Sequence, residues 1–215
     1  MIEKNLFQTR QKKIWKTDTY NVIRLPLHHC NKTRRLPERL EIHLATKAHI
    51  PFLLDNWPEP FTYLGSTVSE LEKVIQNRMQ NGDTCVLATI DSKYAASSWV
   101  SNMDMHLLAY NIGYRSGVFC WKNIFVRPCY RGSGLAVELY NKTVEVLKQN
   151  SGMQLYSFVQ PGNSKSLNLM NKTLNASFLG KLVFLYFLVF KIVHFVDKNG
   201  NKKRTRHPKP GEFVF

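Results

Sequence analysis

The chain has 215 residues, a length that suits one domain. Hydrophobic residues make up 44% and charged residues 21%, which excludes wholesale disorder and permits a buried core. The formal net charge of +15 points to an anionic partner, whether nucleic acid, an acidic membrane or a polyphosphate ligand, without choosing among them.

The N-terminus, Met1 to Phe7, lacks the apolar run of a signal peptide, and cytoplasmic residence is the expectation. Residues 1–38 are polar and basic and read as an extension to a domain over 39–215; within them, Ile14 to Leu27 alternates loosely, as a strand or hairpin does. His28, His29 and Cys30 are adjacent, but adjacent side chains rarely converge on one ion and no second cluster follows, so no metal is expected. Cys30, Cys85, Cys120 and Cys129 form no C-x-x-C pair and read as reduced thiols.

Leu40 to Leu44 alternates as a half-buried strand, and Thr46 can cap a helix over Lys47 to Leu54. Pro58 and Pro60 break the chain before a second helix, begun at Thr67 or Ser69, on which Leu71, Val74, Ile75 and Met79 share a face. Cys85–Ile90 and Tyr94–Ser101 are two strands about a turn, Asn102–Arg115 is a loop with a short strand, and Val118–Val126 is a further strand. Leu135–Gln149 is an amphipathic helix, Leu155–Val159 a strand and Ser164–Lys172 a helix. Phe178–Val196 holds one or two long strands. Its run Leu182–Phe190 is nine apolar residues, far short of the ~20 of a spanning helix. It reads as a strand buried on both faces, with a patch for peripheral membrane contact as the alternative. Asp197–Gly200 signals a hairpin turn, and Lys202–His207 an edge strand. The order β α α β β β α β α β β describes an α/β fold with a mixed, mostly antiparallel central sheet flanked by helices.

The chemistry concentrates in Asn123–Ala136, an apolar strand followed by a loop whose Gly132 and Gly134 stand where a helix begins. Glycine lets a ligand approach the backbone, and the first N–H groups of a helix lack internal partners and favour phosphate. Arg127 and Arg131 add charge there. The Walker pattern fails, since Leu135-Ala136 follows the second glycine, and the dinucleotide fingerprint fails at Val137. Arg131-Gly132-Ser133-Gly134-Leu135-Ala136 instead reads R-x-x-G-x-A, and Asn163-Ser164-Lys165-Ser166 places a Ser three residues after an Asn at a helix start. These resemble the two motifs of the GNAT superfamily, the acyl-CoA-dependent N-acetyltransferases, over roughly residues 40–196.

The resemblance implies that the pyrophosphate of acetyl-CoA, or another acyl-CoA, meets backbone amides among Arg131, Gly132, Ser133, Gly134, Leu135 and Ala136. It implies that Phe125 and Val126 run beside the pantetheine, that Asn163 bonds the pantetheine or shapes the split between the central strands, and that Ser166 belongs to the cofactor-binding set. It also implies that the strands of Ile124–Val126 and Leu155–Val159 splay to admit the thioester, whose carbonyl backbone amides near Ile124–Val126 could polarise. The acid that many relatives carry on the preceding strand is replaced by Lys122 and Asn123, the tyrosine seven residues after Asn163 by Met170, and the later Gly-Phe by Leu174-Asn175. Asp104 and His106, on the segment leading into the central strand, are the candidates for the base; Tyr186 is a candidate acid, and Trp57, Tyr63 and Trp99 are candidates for an acceptor pocket. The function expected is acyl transfer to the primary amine of a small molecule. The alternatives are a non-catalytic acyl-CoA-binding module and a transferase of long acyl chains. The basic run Lys202–Lys209 has no interleaved aromatics and argues little for nucleic acid. No feature points to an oligomeric state.

Overall fold

The computed structural model describes residues 15–31, 35–55, 67–101, 105–107, 110–112, 117–150, 152, 154–187 and 190–205. The strands are β1 (Trp15–Leu25), β2 (Leu40–Leu44), β3 (Thr84–Ile90), β4 (Lys93–Ser101), β5 (Met105–Leu107), β6 (Tyr110–Ile112), β7 (Val118–Val126), β8 (Gln154–Val159), β9 (Ser177–Phe187), β10 (Phe190–Asp197) and β11 (Lys202–Thr205). The α-helices are α1 (Ile50–Asp55), α2 (Val68–Gln80), α3 (Leu135–Gln149) and α4 (Ser164–Asn168). Nine strands form one sheet in the order β11-β10-β9-β1-β8-β7-β4-β3-β2, while β5 and β6 pair apart from it. Every neighbouring pair is antiparallel except β7 and β8, which the crossover through α3 makes parallel. The mixed, mostly antiparallel sheet with flanking helices is the architecture expected.

Trp15–Leu25, expected within an extension, instead lies inside the sheet. It pairs with β8 on one side and β9 on the other. Val22 and the adjacent Ile23 are both buried, one toward each face. A strand covered on both faces need not alternate, which is why its pattern looked loose.

Other boundaries shifted for local reasons. The helix expected over Lys47–Leu54 opens as a 3-10 turn, Lys47–His49, and His49 Nδ1 accepts the Thr46 backbone N–H at 3.0 Å. The helix expected over Ser164–Lys172 is α-helical only to Asn168; Leu169–Thr173 widens into a π turn. Phe178–Val196 resolves into β9 and β10, so the apolar run Leu182–Phe190 is divided between two strands rather than being one. Within it, Leu182 and Phe184 are completely buried, with Val22, Cys120 and Val193 about them.

Two further apolar clusters lie on opposite faces of the sheet. Under α3, Ile23, Leu25, Trp121, Leu139 and Leu155 pack together. Beneath α1 and α2, Leu53, Ile75, Leu87, Tyr94 and Trp99 do so. The central strands are thereby clamped from both sides, which fixes the position of the strand ends that carry the site.

Candidate functional site

The turn between β7 and α3 is braced by its own polar groups. Tyr130 N–H donates to Arg127 O at 2.9 Å, and Ser133 donates to Tyr130 O through its N–H at 3.3 Å and its hydroxyl at 2.7 Å. Arg131 Nε donates back to Val126 O at 3.2 Å. Gly132 (φ 87°) and Gly134 (φ 95°) hold left-handed conformations, and Gly134 is the N-cap of α3. Val137 and Glu138 N–H both donate to Gly134 O, at 2.8 and 3.2 Å. The amides of Leu135 and Ala136 precede them, at the positions a helix start leaves without intrahelical acceptors.

These amides open onto a cleft of about 770 Å³ between the end of β7, the start of α3 and the α4–π segment. Phe125, Val126, Arg131, Gly132, Gly134, Leu135, Ala136, Asn163 and Ser166, all marked in the sequence, line it together. Ser133 does not, since its hydroxyl is turned into the loop. Asn163 Oδ1 accepts Ser166 N–H at 3.1 Å, so this side chain caps α4 at the cleft wall. Sequence reasoning missed Lys165, Leu169, Lys172 and Thr173, which also line the cleft. The π turn brings the last three there, and no residue pattern announces a π turn. Lys165, Lys172 and Arg131 give the cleft a basic lining suited to an anion.

The cleft reaches the sheet where β7 and β8 part. Their parallel pairing runs through Val118–Gln154, Phe119–Leu155 and Cys120–Tyr156 and then stops, although both strands continue. Ser157 Oγ donates to Trp121 O at 3.0 Å, closing the ladder with a side chain. On its other edge β7 slips register against β4 between Ser97 and Trp99, and Asn123 adopts φ 51° there. Such a bulge interrupts the ladder and bends the strand locally. Arg78 Nη1 donates to Asn123 Oδ1 at 3.0 Å, and its guanidinium carbon lies 5.4 Å from the centre of the Trp99 ring.

Lys122, standing where an acid was sought, forms an ion pair with Asp83 at 2.8 Å; the side chains are 16% and 6% exposed. With so little water around the pair, removing one charge strands the other. Asp83→Asn is therefore expected to lower unfolding stability by about 2 kcal/mol, read by urea denaturation, and Lys122→Met with Asp83→Leu to recover most of it. Equal stability of Asp83→Asn and the parent chain would show the pair to be fully solvated.

Tyr94 and Tyr156 lie on strands next to β7, and burial pushes both phenols up, away from any proton exchange near neutral pH. Tyr94 OH is 2.8 Å from Ser97 Oγ, and its ring stacks on Phe125 with centroids 6.3 Å apart. Trp99 is packed among the apolar residues beneath α1 and α2. Tyr186 stands on β9, separated from β8 by β1, and does not join the cleft. Asp104, Trp57 and Tyr63 lie outside the described residues, and His106 is placed by its backbone alone, opposite Asn111 in the β5–β6 pair. Among the described residues no three His, Cys, Asp or Glu side chains gather as metal ligands, and no helix is long and apolar enough to cross a membrane. None of the four cysteines is in a disulfide.

The model of the acetyltransferase (GNAT) family matches residues 50–175. No curated protein matches the chain. Among solved structures, a conserved protein of unknown function from Staphylococcus epidermidis superposes with a TM-score of 0.55 at 10% identity, over 86% of this chain and 69% of its own. A Drosophila protein gives 0.53 at 14% identity, over 81% of this chain and 52% of its own. A ribosomal-protein-alanine N-acetyltransferase from Brucella melitensis gives 0.48 at 16% identity, over 61% and 82%. At such identities the first two likenesses speak for the fold.

Proposed function

The chain belongs to the acetyltransferase (GNAT) family, and from that premise we propose that it transfers an acetyl group from acetyl-CoA to the primary amine of a small molecule in the cytoplasm. The observation that carries this reading is the parting of β7 and β8 after Cys120 and Tyr156, at the head of a basic cleft that begins on the amides of α3. A diphosphate suits the Leu135 and Ala136 amides and the positive end of the helix. Arg131, Lys165 and Lys172 would neutralise its remaining charge.

Bound acetyl-CoA supplies an acyl carbon activated as a thioester. The chain's share of the work is to hold that carbon at the parted strands and to present an amine to it. Backbone N–H groups near Ile124–Val126 would polarise the carbonyl as it becomes an oxyanion. The proton leaving the amine is assigned to Asp104 or His106, acting directly or through water. Lys122 is unsuited to that role while it is paired with Asp83.

The Lys122–Asp83 pair also favours a second reading, a module that binds acyl-CoA without turnover. Two measurements separate the readings. Acetyl-CoA at about a hundred times its Kd is expected to stabilise the fold by about 2.7 kcal/mol, a rise in Tm of about 5–10 °C. Thiol release in the presence of a panel of amines is then expected to exceed the no-amine rate for at least one of them. A thermal shift without release from any amine supports the module, and no thermal shift overturns both.

A further inference from the structure

Residues 26–30, directly after β1, do not line the cleft, yet they are tied to each of its walls. Pro26 O accepts a hydrogen bond from the hydroxyl of Tyr140, a completely buried residue of α3. Asn141, the next residue of α3, holds Cys30 by both backbone groups. Its Oδ1 accepts the Cys30 N–H at 2.9 Å, and its Nδ2 donates to Cys30 O at 3.3 Å. Cys30 Sγ then crosses to the opposite wall and donates to Thr173 O at 3.3 Å. Thr173 closes the π turn and lines the cleft with Leu169 and Lys172. Its carbonyl stands at a helix end, where intrahelical donors run out, and the thiol supplies one.

The third wall is reached through packing. The Tyr140 ring lies against Trp121 of β7, with centroids 5.4 Å apart. Trp121 O in turn accepts Ser157 Oγ where β7 and β8 part. Leu27 and Cys30 pack against the apolar cluster beneath α3, as do Leu167 and Leu169 from the α4–π wall. His28 and His29, by contrast, are exposed. The segment is rooted in β1, which the sheet holds between β8 and β9, so its own position is fixed.

We propose that residues 26–30 act as a strap that keeps α3 and the π turn at the separation acetyl-CoA needs, with Cys30 and Asn141 as positioning residues. The inference rests on the reading of the cleft as the acetyl-CoA site. A ligand lying between the Leu135 and Ala136 amides and the Leu169, Lys172 and Thr173 side must meet both walls at once. Walls set in place beforehand spare the ordering that binding otherwise costs, and the gain shows mainly as slower dissociation. Cys30 suits the task because its backbone is bonded to one wall and its side chain to the other, so the walls cannot drift independently.

Isothermal titration of acetyl-CoA into the full chain tests the strap, with dissociation rates from stopped flow. Asn141→Leu, which removes both bonds to the Cys30 backbone, is expected to weaken binding about tenfold, mostly through faster dissociation. Cys30→Val, which fills the place of the thiol without a donor, is expected to weaken it about fivefold, and Cys30→Ser, which keeps a donor, to stay within about twofold of the parent chain. Should Asn141→Leu misfold, the two Cys30 variants carry the same test. Without any ligand, exchange of the Leu174 and Ala176 amides, bonded to Leu169 O and Met170 O in the π turn, is expected to quicken about tenfold in Asn141→Leu or Cys30→Val. Gly200→Ala, outside the cleft lining, separates positioning from stability: a lower urea midpoint with unchanged affinity is expected. If the parent chain binds acetyl-CoA and Asn141→Leu and Cys30→Val bind it equally well, the strap is overturned and the transferase reading stands. If the parent chain binds none, the reading falls and the inference with it. Unchanged exchange at both amides overturns the strap whatever the titration gives, as does a loss of affinity in Gly200→Ala equal to that in Asn141→Leu.

Discussion

Replacing Gly134 by valine is expected to weaken acetyl-CoA binding by about thirtyfold to a hundredfold, measured by isothermal titration. Gly134 sits at φ 95° as the N-cap of α3 and lines the cleft directly beside the Leu135 and Ala136 amides. A left-handed backbone costs an L residue about 1–2 kcal/mol, more if it is β-branched. The chain escapes that cost by rotating out of the conformation, and the rotation turns the helix-opening amides away from the diphosphate. Each hydrogen bond to a charged group contributes about 1.5–3 kcal/mol, and every 1.4 kcal/mol is tenfold in affinity, so losing one such bond accounts for the range. Gly162→Ala is the control: its Cβ would meet nothing within 4 Å, and unchanged affinity is expected. If Gly134→Val also binds as the parent does, the diphosphate is not held at α3 and the transferase proposal loses its foundation.

The loop-and-helix side of the cleft was legible because its determinants are local. Arg131 to Ala136 must turn a strand into a helix within a few residues, and only glycine serves at Gly132 and Gly134 at little cost, so the geometry leaves a mark in the sequence. Asn163 is similar, since a side chain that caps a helix three residues ahead is specified by neighbours. The helices α2 and α3 announced themselves by spacing, and Thr67 and Glu70 form a capping box where the second helix was expected to begin.

What was not legible depends on residues far apart in the chain. The pairing of β1 between β8 and β9 brings Trp15–Leu25 beside residues more than a hundred positions away, and nothing in its own composition names those partners. The ion pair of Lys122 with Asp83 is another case: the missing acid was visible, but the carboxylate that answers Lys122 comes from the turn after α2. The π turn at Leu169–Thr173 is a third. Its extra residue per turn reflects how the segment packs, with Cys30 Sγ donating to Thr173 O at 3.3 Å and Leu174 N–H to Leu169 O at 3.0 Å. Local chemistry therefore marked the lining of the cleft, whereas the surroundings of β7 are built by tertiary contacts that spacing does not encode.

Gly180 offers the sharpest test of the β1–β9–β10 ribbon. Its backbone is at φ 156°, and a Cβ there would lie 2.3 Å from Val196 O and 2.9 Å from Asp197 Cα. Both obstacles are backbone, so no side-chain rotation relieves them, and β10 must move away from β9. The register explains the crowding. Gly180 pairs with Val22 on one side and Asp197 on the other, beside an irregularity that leaves Leu179 as an extra residue. Gly180→Ala is expected to cost about 3 kcal/mol or more, a large share of the 5–15 kcal/mol that hold a typical domain. Urea denaturation at constant m-value would read this as a lowered midpoint. Gly200→Ala is the comparison, because Gly200 is also left-handed (φ 86°) yet open to solvent, and strain alone should cost about 1 kcal/mol. A Gly180→Ala midpoint equal to that of Gly200→Ala would mean that β9 and β10 part without penalty.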